Sequence, residues 1–444
     1  MAGLNLELTP SALLYNLRSY FRLQYPKLSP SNKILVAYSG GLDSHVLLHL
    51  LSCIPRDEFD LRAIYINHGL QSQAVDWGKH CQQVCQDLDV PFSSINVSIK
   101  PSKGESLEEL ARTARYQALY AALKQDEILM TAHHQNDQAE TLLLQLFRGA
   151  GVHGLAAMAN TNEIKVNSNT YLHSRPLLHQ SRQALEAYVR ENDLKHIEDP
   201  SNQDTGFDRN FLRQKIMPLL RDRWLGIDKA ISRTATLQAE TKGLLDEVAQ
   251  QDLPSILASE LSIFTGGNDQ PLLFAPIAIP RLLKLSDAKQ RLLIRYWVSK
   301  QGFLNPSAKK LQHIFTDVIE SAKDKQPLVE WKGAELRRFQ DHLYIMSPLL
   351  AHDVTQVISW QADSPLNIPS INITLNPDLL DTDSENITVR FRQGGETIEI
   401  PKRGNISLKN LFQEQQIPPW VRSRLPLIYI DDKLIKIVGL DELK

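Results

Sequence analysis

The sequence predicts an α/β protein: an N-terminal open domain on a parallel sheet, a helical middle domain, and a small mixed α/β domain at the C-terminal end. Three observations carry this. From residue 33 to about 148, short branched apolar runs alternate with amphipathic stretches, the pattern of βαβ units. From 227 to 248, Ile227, Ile231, Thr234, Leu237, Thr241, Leu244, Leu245 and Val248 recur at three- and four-residue steps, one face of a helix. Beyond 384, strand-like and helix-like stretches of a few residues alternate.

The elements follow in order. Ile34-Leu35-Val36-Ala37 is a short, fully apolar run suited to a buried parallel strand, and the apolar stretch from Val46 to Leu51 is a buried helix. LRAIYINHGL, FSSINVSI and EILMTA are the next strands; DWGKHCQQVCQDL, SLEELARTARYQALYAALK and QAETLLLQLF are the next helices. Trp77, Cys81, Val84, Cys85 and Leu88 form one apolar helical stripe, so the two cysteines belong to the core rather than to a metal site. Gly149-Ala-Gly151-Val-His-Gly154 fits GxGxxG but follows a helix, so it marks a helix stop and loop, not a dinucleotide site. KQRLLIRYWVSKQGF and SAKKLQHIFTDVIESA continue the helical middle, and PLVEWKGAELRRFQDHLYIM reads as a pair of strands. The Asp-, Asn-, Ser- and Pro-rich stretch 352–384 reads as a linker. NITVRFR, TIEI, LPLIYI and KLIKIVGL are strands around a helix in SLKNLFQEQ. The expected domains are 1–224, 225–352 and 385–444, with an irregular linker over 353–384.

Composition narrows the class. The 444 residues are 42% hydrophobic and 23% charged, ordinary for a globular protein of more than one domain. A net charge of -2 gives no global basic signal, so any nucleic-acid surface must be local. Three cysteines argue for a reducing compartment. The first twenty residues lack a secretion signal, and no apolar run reaches the length of a membrane span, so a cytoplasmic protein without a membrane partner is expected.

The joint between the first strand and helix holds the chemistry. Ser39, Gly40, Gly41, Leu42, Asp43 and Ser44 follow a buried strand at once. Glycine lets backbone amides approach a ligand, the helix N-terminus presents free N–H groups, and the serines add hydroxyls. That is an anion site, best suited to a phosphate chain. Asp43 would repel phosphate unless a cation intervened, which implies magnesium. No Walker sequence occurs. His133, Asp137 and Glu140 fall at a strand end and in the first turn of the next helix, with the two acids three apart on one face. They either hold magnesium or take a proton, against the plainer alternative that acids favour helix N-termini. Arg112 and Arg115, also three apart, are either solvated or anion contacts. His68 is a buried imidazole or a ligand contact. Glu198 and Asp199 precede a Pro-Ser-Asn turn and could attract an ammonium group; Arg209, Asn210 and Arg213 either contact phosphate or cap a helix.

SGGLDS resembles the signature of the PP-loop ATP pyrophosphatase superfamily, with its adenine-nucleotide alpha hydrolase-like fold. INHGL at 66–70, ARTARY at 111–116, TAHHQNDQAETLLLQLFRGAG at 131–151, EDPSN at 198–202, RNFLR at 209–213, FRQGGE at 391–396 and LKNLFQEQQIPPWVRSRLPLI at 408–428 extend the likeness. Together they resemble the tRNA(Ile)-lysidine synthetase family over nearly the full chain. The resemblance implies a C–N ligase using ATP and Mg2+. Its partners would be free L-lysine and the isoleucine tRNA with a CAU anticodon, whose wobble cytidine is adenylated at the C2 oxygen before lysine displaces AMP. It implies ATP contacts from 39–44, His68 and His133, magnesium at Asp43 and Asp137, and catalytic roles for Asp43, Asp137, Glu140 and Arg112, the last toward the adenylate or the tRNA. Glu198, Asp199, Arg209 and Asn210 would face substrate. A homodimer stays open. The tRNA thiolases of the same superfamily are the alternative, but they carry extra Cys-x-x-Cys pairs that this chain lacks. Arg390, Arg392, Lys402, Arg403, Lys409, Arg422 and Arg424, with Trp420, suggest a basic RNA-binding patch near the C-terminal end.

Overall fold

The computed structural model describes residues 10–25, 33–67, 69, 73–98, 107–166, 169–258, 276–322, 325–371, 373–380, 386–401 and 403–440. His68 and Lys402, both singled out from the sequence, lie outside the described residues. The chain divides into two compact units, Met1–Leu244 and Leu245–Lys444.

The first unit is built on a six-stranded sheet. Its elements run α1 (Pro10–Gln24), β1 (Lys33–Ala37), α2 (Leu42–Ser52), β2 (Asp60–Asn67), α3 (Ala74–Asp87), β3 (Phe92–Asn96), α4 (Leu107–Ala121), β4 (Glu127–Met130) and α5 (Gln135–Phe147). They continue as α6 (Val152–Leu155), β5 (Thr161–Val166), β6 (Asn169–Ser174) and α7 (Arg182–Glu191). The strands lie in the order β3-β2-β1-β4-β6-β5. All neighbours pair parallel except β5, which pairs antiparallel with β6 at the edge. The chain steps outward from β1 to β3, and α4 then carries it back to β4 on the other side of β1. This reversal opens a crevice at the C-terminal ends of β1 and β4, where open sheets bind ligands.

Helices on both faces explain why β1 is apolar from Ile34 onward: Ile34, Leu35 and Val36 are inaccessible. Ile34 and Val36 share one core with Leu17 of α1, Leu47 of α2, Cys81 of α3 and Leu185 of α7. Leu35 faces the other core, with Ile64, Leu129 and Leu119 of α4. Cys81 and Cys85 are both in the first core, where burial pushes their thiols up to about 12. The helix stop at 148–149 is also as the sequence implied: α5 ends at Phe147 and Gly149 takes φ +70°. The β5–β6 hairpin is an addition to the expected parallel sheet.

After α7 come α8 (Asp208–Phe211), a π-helical turn at Leu212–Ile216, α9 (Met217–Arg223) and α10 (Ile227–Ile256). The apolar stripe of α10 packs only in part. Ile227 and Ile231 lie against Leu212 and Met217, while Leu237 and Leu244 are exposed.

The second unit departs from expectation in two places. The stretch read as a pair of strands is three, Leu328–Trp331, Ala334–Phe339 and His342–Met346, joined by tight turns at Gly333 (φ +78°) and Gln340 (φ +52°). The stretch read as an irregular linker carries strands Ile358–Ser359, Leu366–Ile368 and Ile373–Leu375. Its Trp360, Ile368, Ile373 and Leu375 build a core with Val389, Phe391 and Ile428. Polar composition there hid an apolar residue at alternate positions. The terminal sheet is antiparallel, with Ile358–Ser359, Ile387–Arg390, Leu427–Ile430 and Lys433–Ile437 side by side.

The C-terminal basic patch is largely self-satisfied. Arg390 pairs with Asp432 and stacks on Tyr429, Arg403 bonds Glu414 at 2.8 Å, and Arg422 and Arg424 donate to the carbonyls of Ile417 and Leu350. Trp420 is a core residue, edge-on to Phe339 and Tyr344. It is no stacking platform for a base.

Candidate functional site

The glycine joint sits at the sheet reversal. Gly40 takes φ +80°, and a Cβ there would come 2.4 Å from Ile197 Cδ1 and 2.9 Å from Cys81 Sγ. Only glycine fits. Gly41 is the N-cap of α2 in extended backbone, with no side chain capping the helix. A Cβ at Gly41 would find its nearest neighbours at 3.6 and 4.0 Å, so packing does not demand glycine there. The hydroxyls brace the loop. Ser44 Oγ donates to the Gly41 carbonyl at 2.9 Å, accepts from Ser39 N at 3.2 Å and lies 3.1 Å from Ser39 Oγ. The uncapped amides of α2 therefore remain for a ligand.

The loop opens on a cavity of ≈730 Å3 within the first unit. Ser39, Gly41, Leu42, Asp43 and Ser44 line it, together with Arg112, His133, Asp137, Glu140, Glu198, Asp199, Arg209 and Asn210. The structure thus brings together every described candidate; Gly40 turns the loop behind that lining.

The acid pair is less alike than its spacing suggested. His134 caps α5: its Nδ1 accepts from Asn136 N at 3.2 Å, and Asp137 Oδ2 accepts from His134 N at 3.0 Å. That leaves His134 Nε2 facing two carboxylates, Asp43 at 3.6 Å and Asp137 at 3.5 Å. Burial alone would raise the Asp137 carboxyl, but His134, Arg209 and Arg213 hold it well below the usual carboxylate range. Glu140 is fully buried, and both its oxygens are taken. Arg213 grips them at 2.6 and 2.7 Å, and Arg209 adds a bond at 3.0 Å. Glu140 is thereby a counter-ion to both guanidiniums, more completely bonded than Asp137, whose oxygens each accept one bond, from Arg213 Nη2 at 3.0 Å and from His134 N at 3.0 Å.

The same contacts settle the arginine and asparagine. Arg209 and Arg213 neither cap a helix nor face outward; they close over Glu140 and Asp137. Asn210 ties the 201–204 turn, donating to the carbonyls of Ser201 at 3.0 Å and Asp204 at 2.9 Å. Asp199 caps that short turn through Ser201 N at 2.8 Å while still lining the cavity. Burial lowers His133 well below its ordinary value, so its imidazole is neutral. Its Nδ1 lies 3.0 Å from Thr131 Oγ1.

Asp43 and Asp137 flank the same imidazole nitrogen, so their oxygens face one small volume. Two carboxylates suit magnesium, which completes its shell with phosphate oxygens and water rather than with a protein cage. Among the described residues no cluster of three or more His, Cys, Asp or Glu could hold a metal alone. The donor set fits a magnesium shared with a phosphate chain.

Two residues were missed from the sequence. Arg182 donates to Asp43 Oδ1 at 2.6 Å and to Glu186 at 2.9 Å. Its signal was a cation in the first turn of α7, right after the Ser181 cap, where the helix dipole disfavours it. His134 stood in plain view as half of a His-His pair.

Family models match three parts of the chain: a PP-loop domain over residues 15–220, a TilS substrate binding domain over 278–344, and a TilS substrate C-terminal domain over 387–441. The tRNA(Ile)-lysidine synthase of Coxiella burnetii is 40% identical over 98% of this chain and 93% of its own length. That of Pectobacterium atrosepticum is 40% identical over 91% of this chain and 90% of its own. Among solved structures, a U34-tRNA thiolase from Methanococcus maripaludis covers 52% of this chain and 80% of its own, at 16% identity and a TM-score of 0.44. On the identity and coverage of those full-length relatives, this chain belongs to the tRNA(Ile)-lysidine synthase family.

Proposed function

We propose that this chain uses ATP to join free L-lysine to C2 of the wobble cytidine of the CAU-anticodon isoleucine tRNA. The product is lysidine, and the codon read changes from AUG to AUA. One observation carries the reading: the glycine joint and Asp137 open on a single cavity at the sheet reversal. A tRNA thiolase is disfavoured by the lack of paired cysteines beyond the buried Cys81 and Cys85.

The chemistry follows from the residues. The amides at the start of α2, with Ser39 and Ser44, bind the β,γ-phosphates of ATP. Magnesium, held by Asp43 and Asp137, would supply positive charge for the leaving pyrophosphate. The cytidine C2 oxygen attacks the α-phosphorus and pyrophosphate departs. The lysine amine, once deprotonated, attacks C2, and AMP leaves with the oxygen. Asp137 is held so strongly ionised that it serves as an anchor for cations rather than as a base. Glu140 acts through Arg209 and Arg213 as a positioning residue. Arg112, exposed at the cavity wall over the Tyr116 ring, contacts the adenylate. Residues beyond 244 grip the tRNA.

The test is mass analysis of nucleosides from an isoleucine tRNA transcript incubated with the protein, ATP and lysine. A cytidine heavier by one lysine less one water supports the proposal; unmodified cytidine in every digest refutes it.

A further inference from the structure

Behind the cavity wall, a chain of buried hydrogen bonds runs across the sheet and ends on His133. Strand register builds it. β4 pairs with β6 so that Leu129 stands opposite His173, and Thr131 N donates to the Ser174 carbonyl at 3.0 Å. Side chains alternate faces along a strand, so Thr131 and His173 share the face that α4 covers. Both are buried, and the His173 ring packs against Tyr116 and Tyr120 of α4, with centroids 5.7 and 6.4 Å away. Arg175, just after β6, is fixed by bonds from Nη1 to the Ala159 carbonyl at 2.9 Å and to Asn162 Oδ1 at 2.8 Å.

The protons along this chain can be assigned in a single order. Arg175 Nη2 lies 3.3 Å from His173 Nδ1, and a guanidinium can only donate. Burial, then Arg175, Arg112 and Arg115, push the His173 imidazole down to about 3, so the ring is neutral and carries its proton on Nε2. That proton goes to Thr131 Oγ1 at 2.9 Å. The buried Thr131 hydroxyl must then donate onward, and among the described residues its remaining partner is His133 Nδ1 at 3.0 Å. His133 is neutral too, so its own proton sits on Nε2. His133 lines the cavity, and among the described residues its Nε2 has no hydrogen-bond partner.

We propose that His173 and Thr131 are positioning residues, which hold His133 in the tautomer whose Nε2–H donates to a phosphoryl oxygen of the nucleotide. The inference rests on the proposed function and deepens it. β4 lies beside β1, with Met130 opposite Val36, so His133 leaves its strand next to the glycine joint. With the terminal phosphates on that joint, the α-phosphate comes next, and attack there gathers negative charge on its free oxygens. A neutral N–H binds those oxygens more strongly as the charge grows. The opposite tautomer would present a nitrogen lone pair and repel them.

Nitrogen NMR of the full chain with isotope-labelled histidines reads the tautomer, and His133→Asn identifies the His133 signals. Wild type should show Nε2 protonated and Nδ1 bare. Thr131→Val keeps the side chain's size without its hydroxyl, and its His133 should shift toward the Nδ1-protonated form. Transfer of label to tRNA from ATP labelled at the α-phosphate reads the consequence. Thr131→Val should adenylate tRNA about tenfold to a hundredfold more slowly, the partial loss of one oxyanion donor. Its Kd for ATP should stay within about threefold of wild type, because the lost bond strengthens only in the transition state. Thr131→Ser, which keeps the hydroxyl, should stay within about threefold of wild type in both rate and Kd. A wild-type His133 with its proton on Nδ1 would overturn the relay. So would Thr131→Val adenylating at the wild-type rate, or the Val and Ser variants failing alike. Wild type that labels no tRNA would overturn the proposed function and the phosphoryl contact with it; the nitrogen signals decide the tautomer either way.

Discussion

Gly40 and Gly41 are adjacent and chemically identical, yet alanine should do opposite things at the two positions. At Gly40 the backbone is left-handed (φ +80°), which costs an L-residue about 1–2 kcal/mol. The new methyl would also meet Ile197 Cδ1 at 2.4 Å and Cys81 Sγ at 2.9 Å inside a packed core, and overpacking of that kind costs about 1–3 kcal/mol. Together Gly40→Ala should destabilise by roughly 2–5 kcal/mol. Adding Ile197→Ala should relieve the steric part and leave the backbone part. At Gly41 φ is -71° and the closest atom is 3.6 Å away, so the fold should change by less than about 1 kcal/mol. Its methyl would instead stand on the cavity wall, where phosphate must approach the amides of α2. Denaturant unfolding of the full chain and calorimetric titration with ATP separate the two effects. Gly40→Ala should unfold early; Gly41→Ala should unfold normally but bind ATP at least tenfold more weakly. If Gly40→Ala unfolds with wild type, or Gly41→Ala binds ATP as wild type does, the division of labour within the loop is wrong.

Other outcomes follow from the same contacts. Glu140→Gln leaves Arg209 and Arg213 facing a neutral amide and should cost about 2–4 kcal/mol, less than a fully buried pair because Arg213 is 39% exposed; unchanged denaturation would show the clamp to be idle. The folded Asp137 carboxyl lies below its unfolded value, so its stabilisation is complete above about pH 4 and is lost as pH falls through the folded value. Asp137→Asn should therefore be less stable than wild type at pH 7, with the gap narrowing between about pH 5 and pH 2; a gap independent of pH would count against the ionic network. Cys53 is exposed while Cys81 and Cys85 are buried with thiols pushed up to about 12, so a thiol reagent at pH 8 should label Cys53 alone in the native chain. Rapid labelling of Cys81 would mean that the loop's floor opens.

Much of the first unit could be read from the chain because its signals are local. β1 is a run of branched apolar residues ended by glycines, and the acids of α5 fall in a first turn whose position the strand before it fixes. What sequence could not give was pairing at a distance. Arg209 and Arg213 lie some seventy residues from Glu140, and Arg182 lies 139 from Asp43. Nothing in RNFLR says that its guanidiniums close on a buried carboxylate rather than on phosphate. The pairings within the C-terminal patch were hidden for the same reason: charge counted along a chain cannot show that Arg403 meets Glu414 or that Arg390 meets Asp432. Trp420 was counted with the patch because aromatic type carries no mark of burial, and it is a core residue. The stretch 353–384 looked like a linker because its strands are only two or three residues long, too short for a period to emerge.

In the proposed mechanism the joint at 39–44 holds ATP so that its α-phosphorus can be attacked by a carbonyl oxygen of RNA. ATP labelled at the α-phosphate, incubated with the full chain and an isoleucine tRNA transcript without lysine, measures this directly. Label should become attached to the RNA, and lysine added afterwards should release it as AMP. Pyrophosphate formed with no label ever entering RNA, or no turnover at all, would contradict it.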